Sequence, residues 1–304
     1  MEDLSLLFKV PPDFRCGYVA LVGRPNAGKS TLMNALLGLK LSIVTAKAQT
    51  TRHRVLGILT NEQAQVIFLD TPGIIKPNYK LQERMMSSVQ GAVMDADLVV
   101  FLIDAQHEHM HPEVLNYLKD RPAILAINKM DLVSKEKVLP LVSQCLEQRD
   151  FEAVVPISAL KGKQLDVLLQ EITSRLPNGV PFYPPDQVSE HPERFFIAET
   201  IREKIFQRFH QEVPYATQVN IVAYEAREDR ADLIDAEIVV ERETQKGILI
   251  GKKGIALKEV GSEARKDIEA LIGKKVFLQL HVKVRDDWRS KEHFLNAYGY
   301  RISS

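Results

Sequence analysis

Short apolar runs alternate with stretches of mixed polarity from residue 17 to residue 176. Runs of five to eight residues that are this apolar predict β-strands covered on both faces. These runs lie at residues 17–23, 55–59, 65–70, 97–104, 123–128 and 153–158. Helical spacing of apolar positions is found between them, at residues 29–38, 81–94, 112–119, 134–149 and 164–175. Strands that alternate with helices predict an α/β fold, with a mostly parallel sheet covered by helices on both faces.

The order of elements changes after a proline-rich segment. Residues 176–192 hold five prolines, which neither continue a helix nor donate to a sheet ladder. Beyond them the pattern predicts a helix, two strands, two helices, a strand and a final helix. The bounds are 194–209, 217–228, 232–242, a short helix that ends before residue 251, then 255–272, 276–284 and 288–297. We therefore predict a first domain at 15–177, a linker at 178–192 and an α+β domain at 193–304.

Length and composition fit this division. The chain has 304 residues, which at roughly 150 residues per domain predicts two domains. Forty basic residues balance forty acidic ones, but residues 242–291 carry thirteen basic and seven acidic side chains and can attract a phosphate polymer. The two cysteines, Cys16 and Cys145, exclude a disulfide scaffold and a four-cysteine zinc site, and they fit a reducing compartment.

The sequence shows no sign of membrane insertion or export. No apolar run approaches the roughly 20 residues that span a bilayer, and the first residues lack a basic region before an apolar core. Glu2 and the final R-I-S-S carry no lipidation motif. We expect a cytoplasmic monomer, with weak peripheral contact to the inner face of the cell membrane left open.

The strongest local motif is G-R-P-N-A-G-K-S at residues 23–30, between a predicted strand and a predicted helix. It fits the phosphate-binding loop, in which glycines let backbone N–H groups turn toward phosphates at the positive end of the helix. Lys29 would reach the β- and γ-phosphates, and the Ser30 hydroxyl would bind Mg²⁺. The predicted nucleotide contacts of this loop are Gly23, Asn26, Ala27, Gly28, Lys29, Ser30 and Thr31.

A second motif, D-T-P-G at residues 70–73, ends the third predicted strand. Asp70 stands at the strand end, where a carboxylate can hold Mg²⁺, commonly through water. Gly73 can offer its N–H to the γ-phosphate, where a side chain would hinder the approach. Loss of that phosphate would release the segment that follows, which predicts an order–disorder switch.

Two further motifs predict that the base is guanine. In N-K-M-D at residues 128–131, Asp131 can accept from N1–H and from the 2-amino group of guanine, a pattern that adenine cannot match. Asn128 would bond the Hoogsteen edge and tie the loops together, and the Lys129 stem would cover the ring. S-A-L at residues 158–160 would place the Ala159 N–H at guanine O6, between Ser158 and Leu160. Four motifs in this order at strand ends predict a GTP-binding domain.

These motifs resemble those of translation-factor-related GTPases and, more narrowly, of the Era family. The resemblance covers nearly the whole chain, because E-V-P-Y at 212–215 and K-V-R-D-D-W at 283–288 are also similar to Era. It implies that Q-T-T-R-H-R at 49–54 belongs to the first switch, with Thr51, or its neighbour Thr50, sensing Mg²⁺ and the γ-phosphate. It implies hydrolysis of GTP to GDP and phosphate, with Lys29, Thr51, Asp70 and Gly73 as the catalytic set.

The second half resembles a type II KH domain. G-I-L-I-G-K-K-G at residues 247–254 lies between two predicted helices in the basic stretch. Gly251 and Gly254 would let an RNA strand pass close to the backbone, with Lys252 and Lys253 beside its phosphates. Ile248 and Ile250 would form the floor of a groove for bases. By resemblance the RNA is the 3′ end of small-subunit ribosomal RNA, and the chain assists assembly of the 30S subunit.

Two positions bear on the rate of hydrolysis. Ile74 stands where small GTPases commonly place a glutamine that orients the attacking water, which predicts slow turnover or a water held by other means. Asn26 is similar to an asparagine with which related GTPases ligate K⁺ near the β- and γ-phosphates; the alternative is an asparagine that caps the loop. Arg52 and Arg54 are interpreted as exposed on the switch or facing RNA, rather than as catalytic.

Other interpretations fit less well. A GTPase partner in tRNA modification would need a catalytic accessory region, often with a reactive cysteine, and the second half has no cysteine. A membrane-attached signalling GTPase would need a lipidation motif, and N-K-M-D disfavours an ATPase or kinase. We interpret H-E-H-M-H at 107–111 as a solvated loop rather than a metal site, and Trp288 as an anchor of the last helix rather than a surface for RNA stacking.

Overall fold

The computed structural model describes residues 10–106, 112–118, 120–228 and 230–301. Within these ranges nine strands form two sheets, one of six strands and one of three. We call the part around the larger sheet, residues 15–175, the six-stranded unit. We call the part around the smaller sheet, residues 193–301, the three-stranded unit.

The six-stranded unit has the strand order β2–β3–β1–β4–β5–β6. Its strands are β1 (Arg15–Gly23), β2 (Val55–Thr60), β3 (Ala64–Asp70), β4 (Leu98–Asp104), β5 (Ala123–Asn128) and β6 (Ala153–Pro156). Its helices are α1 (Lys29–Leu37), α2 (Lys80–Asp95), α3 (Pro112–Leu118), α4 (Val138–Leu146) and α5 (Leu165–Arg175). β2 runs antiparallel to β3, and the other neighbouring strands are parallel.

Alternating side chains explain why helices cover both faces of this sheet. Val19 and Phe68 pack in the core closed by α1 and α5, whereas Ala20 and Leu69 pack in the core under α2, α3 and α4. Successive strand residues point to opposite faces, so a strand that is apolar at every position needs cover on both sides. The predicted mostly parallel, doubly covered sheet is confirmed.

The three-stranded unit also follows the predicted order of elements. It contains α6 (Glu193–Arg208), β7 (Gln218–Glu225), β8 (Asp232–Val240), α7 (Glu243–Ile250), α8 (Ile255–Ile272), β9 (Val276–Val284) and α9 (Glu292–Ala297). β7 is antiparallel and β9 parallel to the central strand β8. Apolar residues of α6, α7 and α8 pack on one face of this sheet, as Ile201, Leu249 and Val260 do against Ile234 and Ile238.

Two helices are shorter than their patterns predict. The stretch 134–149 forms a 3₁₀ turn at Lys135–Lys137 and then α4, with Pro140 at the third position of the helix. Proline lacks an N–H and is tolerated only in the first turn, so the helix cannot start much earlier. The stretch 288–297 divides into a 3₁₀ turn at Trp288–Ser290 and α9, because the backbone at Lys291 is extended.

The proline-rich segment lies along the six-stranded unit. Gln65 of β3 is fully buried, and its side-chain oxygen accepts from the N–H groups of Phe182 at 2.7 Å and Tyr183 at 3.0 Å. Its Nε2 donates to the Tyr183 carbonyl at 2.8 Å, and Ile58 donates its N–H to the Val188 carbonyl at 2.9 Å. The segment is therefore docked beside β2 and β3, and the predicted domain limits fall between α5 and α6.

The histidine-rich segment 107–111 lies outside the described residues. In the part of the chain that is described, no group of three or more His, Cys, Asp or Glu side chains is placed to hold a metal ion. None of the helices found there is long and apolar enough to cross a bilayer.

Candidate functional site

The loop between β1 and α1 forms a backbone cradle. Gly28 has a φ of 98°, and a Cβ at this position would lie 2.2 Å from Asn128 Nδ2, so that only glycine fits. Asn26 also has left-handed backbone, with a φ of 63°. Because α1 begins at Lys29, the free N–H groups and the positive end of the helix face this loop. The cradle is therefore suited to an anion.

Lys29 places a buried cation in the cradle. Its side chain is 6% exposed, and its ammonium donates to the carbonyl oxygens of Gly23 at 3.2 Å and Arg24 at 3.1 Å. Burial lowers its pKa to about 8, although the nearby Asp70 carboxylate opposes this shift. A phosphate would supply the counter-charge that carbonyl dipoles provide only in part. A strongly shifted pKa in a cleft with a specific charge partner is typical of functional sites.

Three side-chain oxygens that could act as metal ligands lie close together beside the loop. Ser30 Oγ donates to Asp70 Oδ2 at 2.7 Å and lies 2.9 Å from Thr51 Oγ1. Asp70 is fully buried, and burial raises the pKa of its carboxyl group against the opposing effects of Ser30 and Lys29. Its other oxygen, Oδ1, is buried and has no hydrogen-bond partner among the described residues. Hydroxyl and carboxylate oxygens around a buried acid with a free lone pair fit Mg²⁺.

The two threonines of the first switch differ in orientation. The Thr51 hydroxyl faces Ser30, as described above. The Thr50 hydroxyl donates to the Lys47 carbonyl at 2.8 Å and lies 2.6 Å from Thr45 Oγ1. Of the two candidates that the sequence leaves open, the geometry favours Thr51.

The D-T-P-G segment touches the phosphate-binding loop. A Cβ on Gly73 would lie 2.6 Å from the Pro25 nitrogen, so glycine is required for this approach. Ile74 donates its N–H to the Gly23 carbonyl at 3.0 Å, and its side chain is 6% exposed within the apolar core. A buried aliphatic side chain cannot orient a water molecule, which agrees with the expectation from the sequence.

Asn128 ties three loops together. Its Nδ2 donates to the Ala27 carbonyl at 2.8 Å, and its Oδ1 accepts from the Ala159 N–H at 2.9 Å. The side chain is 2% exposed. These two hydrogen bonds join the loops as the sequence predicts. The Ala159 N–H, which the sequence assigns to guanine O6, is instead bonded to Asn128 in this structure.

The other residues that the sequence predicts to contact the base lie at the same edge of the sheet. Asp131 Oδ1 accepts from Ser158 Oγ at 2.5 Å, and this hydrogen bond lowers the pKa of the Asp131 carboxyl group. The carboxylate is thus kept ionised as an acceptor for a base. Lys129 has a left-handed φ of 66°, and its ammonium lies 2.6 Å from Asp104 Oδ2. Leu160 is exposed and closes the S-A-L segment.

Arg52 corrects the interpretation made from the sequence. It is 3% exposed, and its guanidinium donates to the carbonyls of Thr217 at 2.7 Å, Tyr215 at 2.9 Å and Pro214 at 3.1 Å. It therefore neither faces solvent on the switch nor faces RNA. The sequence held no signal for this, because the partners are backbone carbonyls more than 160 residues away. Arg54 instead pairs with Asp95 at 2.5 Å at the surface of the six-stranded unit.

The G-K-K-G loop leaves open space where a strand of nucleic acid is expected. Gly251 and Gly254 have φ values of 70° and 77°, and a Cβ on Gly254 would meet no atom within 4 Å. Lys252 and Lys253 are both exposed. The loop connects α7 to α8, so the lysines project beside the positive end of a long helix.

A groove between α8 and β9 leads away from this loop. It is lined by Gly254, Leu257, Lys258, Gly261, Ser262, Arg265, Phe277, Leu278 and Leu280. Its apolar lining includes Leu257, Leu278 and Leu280, whereas Ile248 and Ile250 lie on α7 outside this groove, so their role at bases stays a prediction. The sequence analysis did not predict this groove, because the meeting of α8 with β9 is a tertiary contact. Period-two alternation along β9 was the one available signal.

Trp288 is fully buried, and its Nε1 donates to the Ala216 carbonyl at 2.8 Å. The predicted anchoring role is confirmed. The indole joins Tyr300 and Leu295 in the apolar cluster that also contains Val22 and Met85. The two units therefore share a continuous apolar contact.

Comparison with known proteins covers both units. A family profile described as "50S ribosome-binding GTPase" matches residues 18–129, and one described as "KH domain" matches residues 212–289. The Arabidopsis thaliana protein "GTPase ERA-like, chloroplastic" is 47% identical over 293 residues, which are 94% of this chain and 69% of that protein. 

Two solved structures are similar over nearly their whole length. One is a variant of Aquifex aeolicus Era bound to GDP and AlF4⁻, and the other is Era in complex with MgGDPNP and nucleotides 1506–1542 of 16S ribosomal RNA. Each has a TM-score of 0.91 and 41% identity and covers 94% of this chain and 99% of its own.

Proposed function

Because this chain belongs to the Era family of GTPases, we propose that GTP bound to its six-stranded unit controls binding of small-subunit ribosomal RNA by its three-stranded unit during assembly of the 30S subunit. The meeting of Ser30, Thr51 and Asp70 beneath a phosphate-binding loop carries the first half of this proposal. The groove that begins at the G-K-K-G loop supports the second half.

In the nucleotide site the charged groups act on phosphates. Lys29 contacts the β- and γ-phosphates, and the Gly73 N–H reads the presence of the γ-phosphate. Ser30, Thr51 and Asp70 would hold Mg²⁺, which when bound would neutralise oxygens on which negative charge grows. Burial already destabilises the charged forms of Lys29 and Asp70 in the free protein. Bound nucleotide and metal therefore stabilise the ionised side chains as well as the substrate.

Hydrolysis is slow in this proposal, and Asn26 gives K⁺ a role in it. The Asn26 Nδ2 donates to the Ala46 carbonyl at 3.2 Å, and the proposal assigns its Oδ1 oxygen as the K⁺ ligand. K⁺ at this oxygen would add positive charge near the β- and γ-phosphates.

The K⁺ role is measured by GTP turnover in matched KCl and NaCl buffers. We expect faster turnover in KCl for the native chain and the same rate in both salts for Asn26→Ala. Equal rates in both salts for the native chain would contradict the K⁺ role and leave the GTPase assignment intact.

The RNA half rests on shape and charge. Gly254 leaves space for a backbone, two exposed lysines flank it, and an apolar floor follows for unstacked bases. The similar Era structure holds nucleotides 1506–1542 of 16S ribosomal RNA. We infer that the ligand of this chain is the corresponding 3′-end segment of its own small-subunit RNA.

The test compares two double variants that remove equal charge. Lys252→Gln/Lys253→Gln neutralises the loop, and Lys274→Gln/Lys275→Gln neutralises a pair at the opposite end of α8, where the partners are Asp232 and Glu269. Affinity for a 3′-end RNA oligonucleotide is measured with GTP analogue over a range of salt. Each phosphate contact contributes about −0.7 to the slope of log affinity against log salt, so only the loop variant should lower its steepness, by about 1.4.

Equal loss of affinity and slope in both double variants would contradict the assignment of the loop. Crosslinking from cells adds the identity of the RNA, because the native chain and the Lys274→Gln/Lys275→Gln control should recover ribosomal RNA ends and the Lys252→Gln/Lys253→Gln variant should not. Recovery of tRNA instead would favour the tRNA-modification alternative.

A further inference from the structure

We propose that the three-stranded unit positions the GTPase site from within the chain: Arg52 and Arg202 fasten the first switch segment, residues 42–54, so that the Thr51 hydroxyl stays beside Ser30 and Asp70. The inference rests on the proposed role of Thr51 in the nucleotide site. It assigns Arg52 and Arg202 as positioning residues, since neither contacts the expected phosphate position.

Arg52 is the first fastening. Its Nη1 and Nη2 groups donate to the carbonyl oxygens of residues 214, 215 and 217, in the segment that leads into β7. The guanidinium also lies 5.9 Å from the ring centre of Phe206 and 6.0 Å from that of Trp288. A planar fork with five donors suits such a set of fixed acceptors, and lysine could not reproduce it.

Arg202 is the second fastening. Here the side chain belongs to the three-stranded unit and the acceptor belongs to the switch segment. From α6 its Nη2 donates to the Thr50 carbonyl at 2.6 Å, while Glu199 accepts from its Nε at 2.7 Å and holds the side chain in place. The two neighbours of Thr51 are thus both hydrogen-bonded to the three-stranded unit, Thr50 through its carbonyl and Arg52 through its side chain. The backbone on both sides of the Thr51 hydroxyl is held by the three-stranded unit.

Further contacts fix the rest of the segment. Lys47 donates to the carbonyls of Phe206 and Phe209 at the C-terminal end of α6, where free carbonyls and the negative end of the helix favour a cation. The Val44 N–H donates to Glu203 Oε1 at 3.2 Å. The His53 ring stacks on Tyr300 with 4.2 Å between ring centres.

These contacts matter because the segment has no regular structure of its own. Residues 42–54 are all described and form neither helix nor strand. An unfastened segment of this length would lose conformational entropy each time Thr51 is brought to the metal and the γ-phosphate. Fastening it in advance lowers that entropic cost and places the reacting groups in register. GDP makes no use of a γ-phosphate sensor, so its binding should not depend on the fastening.

The test uses the full chain and three variants. Arg52→Gln removes the fork, Lys47→Met removes a half-buried ammonium with less risk to folding, and Arg15→Gln is the matched control. Arg15 also donates to a backbone carbonyl, that of Leu176 at 2.6 Å, but at the far end of β1. GTP turnover, the Mg²⁺ concentration for half-maximal turnover and GDP affinity are measured for each.

We expect Arg52→Gln to lower kcat at least tenfold and raise the Mg²⁺ requirement several-fold, with GDP affinity within twofold of the native chain. Lys47→Met should shift the same quantities by a smaller factor, and it decides the matter if Arg52→Gln does not fold. Arg15→Gln should leave all three quantities within twofold.

Two results would overturn the inference: turnover and Mg²⁺ requirement unchanged in the fastening variants, or GDP affinity lost in parallel with turnover, which indicates a purely structural role. A native chain that fails to hydrolyse GTP would instead remove the proposed function itself. The two failures are therefore distinguishable.

Discussion

At the scale of single residues, the nucleotide site is held mainly by side chains that bond to backbone groups. Asn128 joins the Ala27 carbonyl to the Ala159 N–H, and Lys29 bonds to two carbonyls of its own loop. Such bonds fix loop shape independently of the side chains on the partner residues. Asp131 differs, because its carboxylate accepts from the Ser158 hydroxyl through Oδ1 and can also accept from a base.

Asp131→Asn is expected to exchange the preferred base. The amide N–H₂ opposes the 2-amino group of guanine but can donate to the 2-carbonyl of xanthine, while its oxygen still accepts from N1–H. GTP affinity should fall about 100-fold, because two favourable bonds become one bond and one donor–donor clash. Binding of GTP and of xanthosine triphosphate is measured by calorimetry.

Asp150→Asn, at an exposed acid beyond α4, is the control and should bind GTP as the native chain does. A drop in GTP affinity with no gain for xanthosine triphosphate would show that Asp131 supports the loop rather than reads the base.

At the scale of elements, the proline-rich segment at residues 176–192, called the strap below, is docked on the six-stranded unit and is not a free linker. Three hydrogen bonds between the Gln65 side chain and the backbone of Phe182 and Tyr183 hold it against β3, and Gln65 Nε2 also donates to Thr60 Oγ1 at 3.0 Å. Ser189 Oγ donates to the Leu56 carbonyl at 2.5 Å further along. This docking determines where α6 starts relative to β2, and thereby where the three-stranded unit meets the first switch segment.

Gln65→Leu should destabilise the chain by about 1–3 kcal/mol, because the strap N–H groups and the Thr60 hydroxyl lose their buried partner. Chemical denaturation measures the change, and limited proteolysis within residues 180–190 should become faster. Gln63→Leu, at an exposed position of the preceding turn, should change stability by less than about 0.5 kcal/mol. Equal effects of the two substitutions would show that the strap is not held by Gln65.

At the scale of the whole molecule, the two units meet through a buried polar and aromatic interface. His53 lies at its centre, stacked on Tyr300. Burial lowers the pKa of His53 to about 4, against the favourable charge of Glu199 and together with nearby cations. The charged and titratable groups that face it are Glu199, Arg202, Arg52 and His191.

This lowered pKa makes the interface sensitive to acid. Below pH 6.5 the unfolded chain protonates His53 while the folded chain does not until about pH 4, so stability falls as the pH drops through this window. The loss is at most about 3 kcal/mol for the full shift, and less for a ring that keeps some contact with solvent. Above pH 7 the contribution is constant.

His53→Phe keeps a ring against Tyr300 but cannot titrate. Its unfolding free energy should vary less between pH 7 and pH 5 than that of the native chain, as measured by denaturation with the fluorescence of Trp288, the single tryptophan, as a probe of the interface. The same pH dependence in both proteins would assign the acid sensitivity to other groups.

The sequence was sufficient for features that depend on local spacing. The mostly parallel sheet followed from apolar runs at every strand position, and the nucleotide loops followed from motifs at strand ends, because neighbouring residues in a motif share one strand, turn or helix end. The α8 bounds 255–272 and the β9 bounds 276–284 agree with the pattern for the same reason. α4 was overextended, since the start of a helix near Pro140 depends on backbone donors rather than on apolar period.

Only the tertiary structure decided which residues of distant segments meet. Thr51 rather than Thr50 faces Ser30, Arg52 is buried on the carbonyls at 214–217, and the apolar lining of the basic groove includes Leu257, Leu278 and Leu280. Contacts to backbone carbonyls and across units carry no residue-type pattern, because every residue offers the same acceptor. The residues of the nucleotide site could therefore be predicted from local motifs, whereas the contacts between the two units depend on how the folded surfaces pack together.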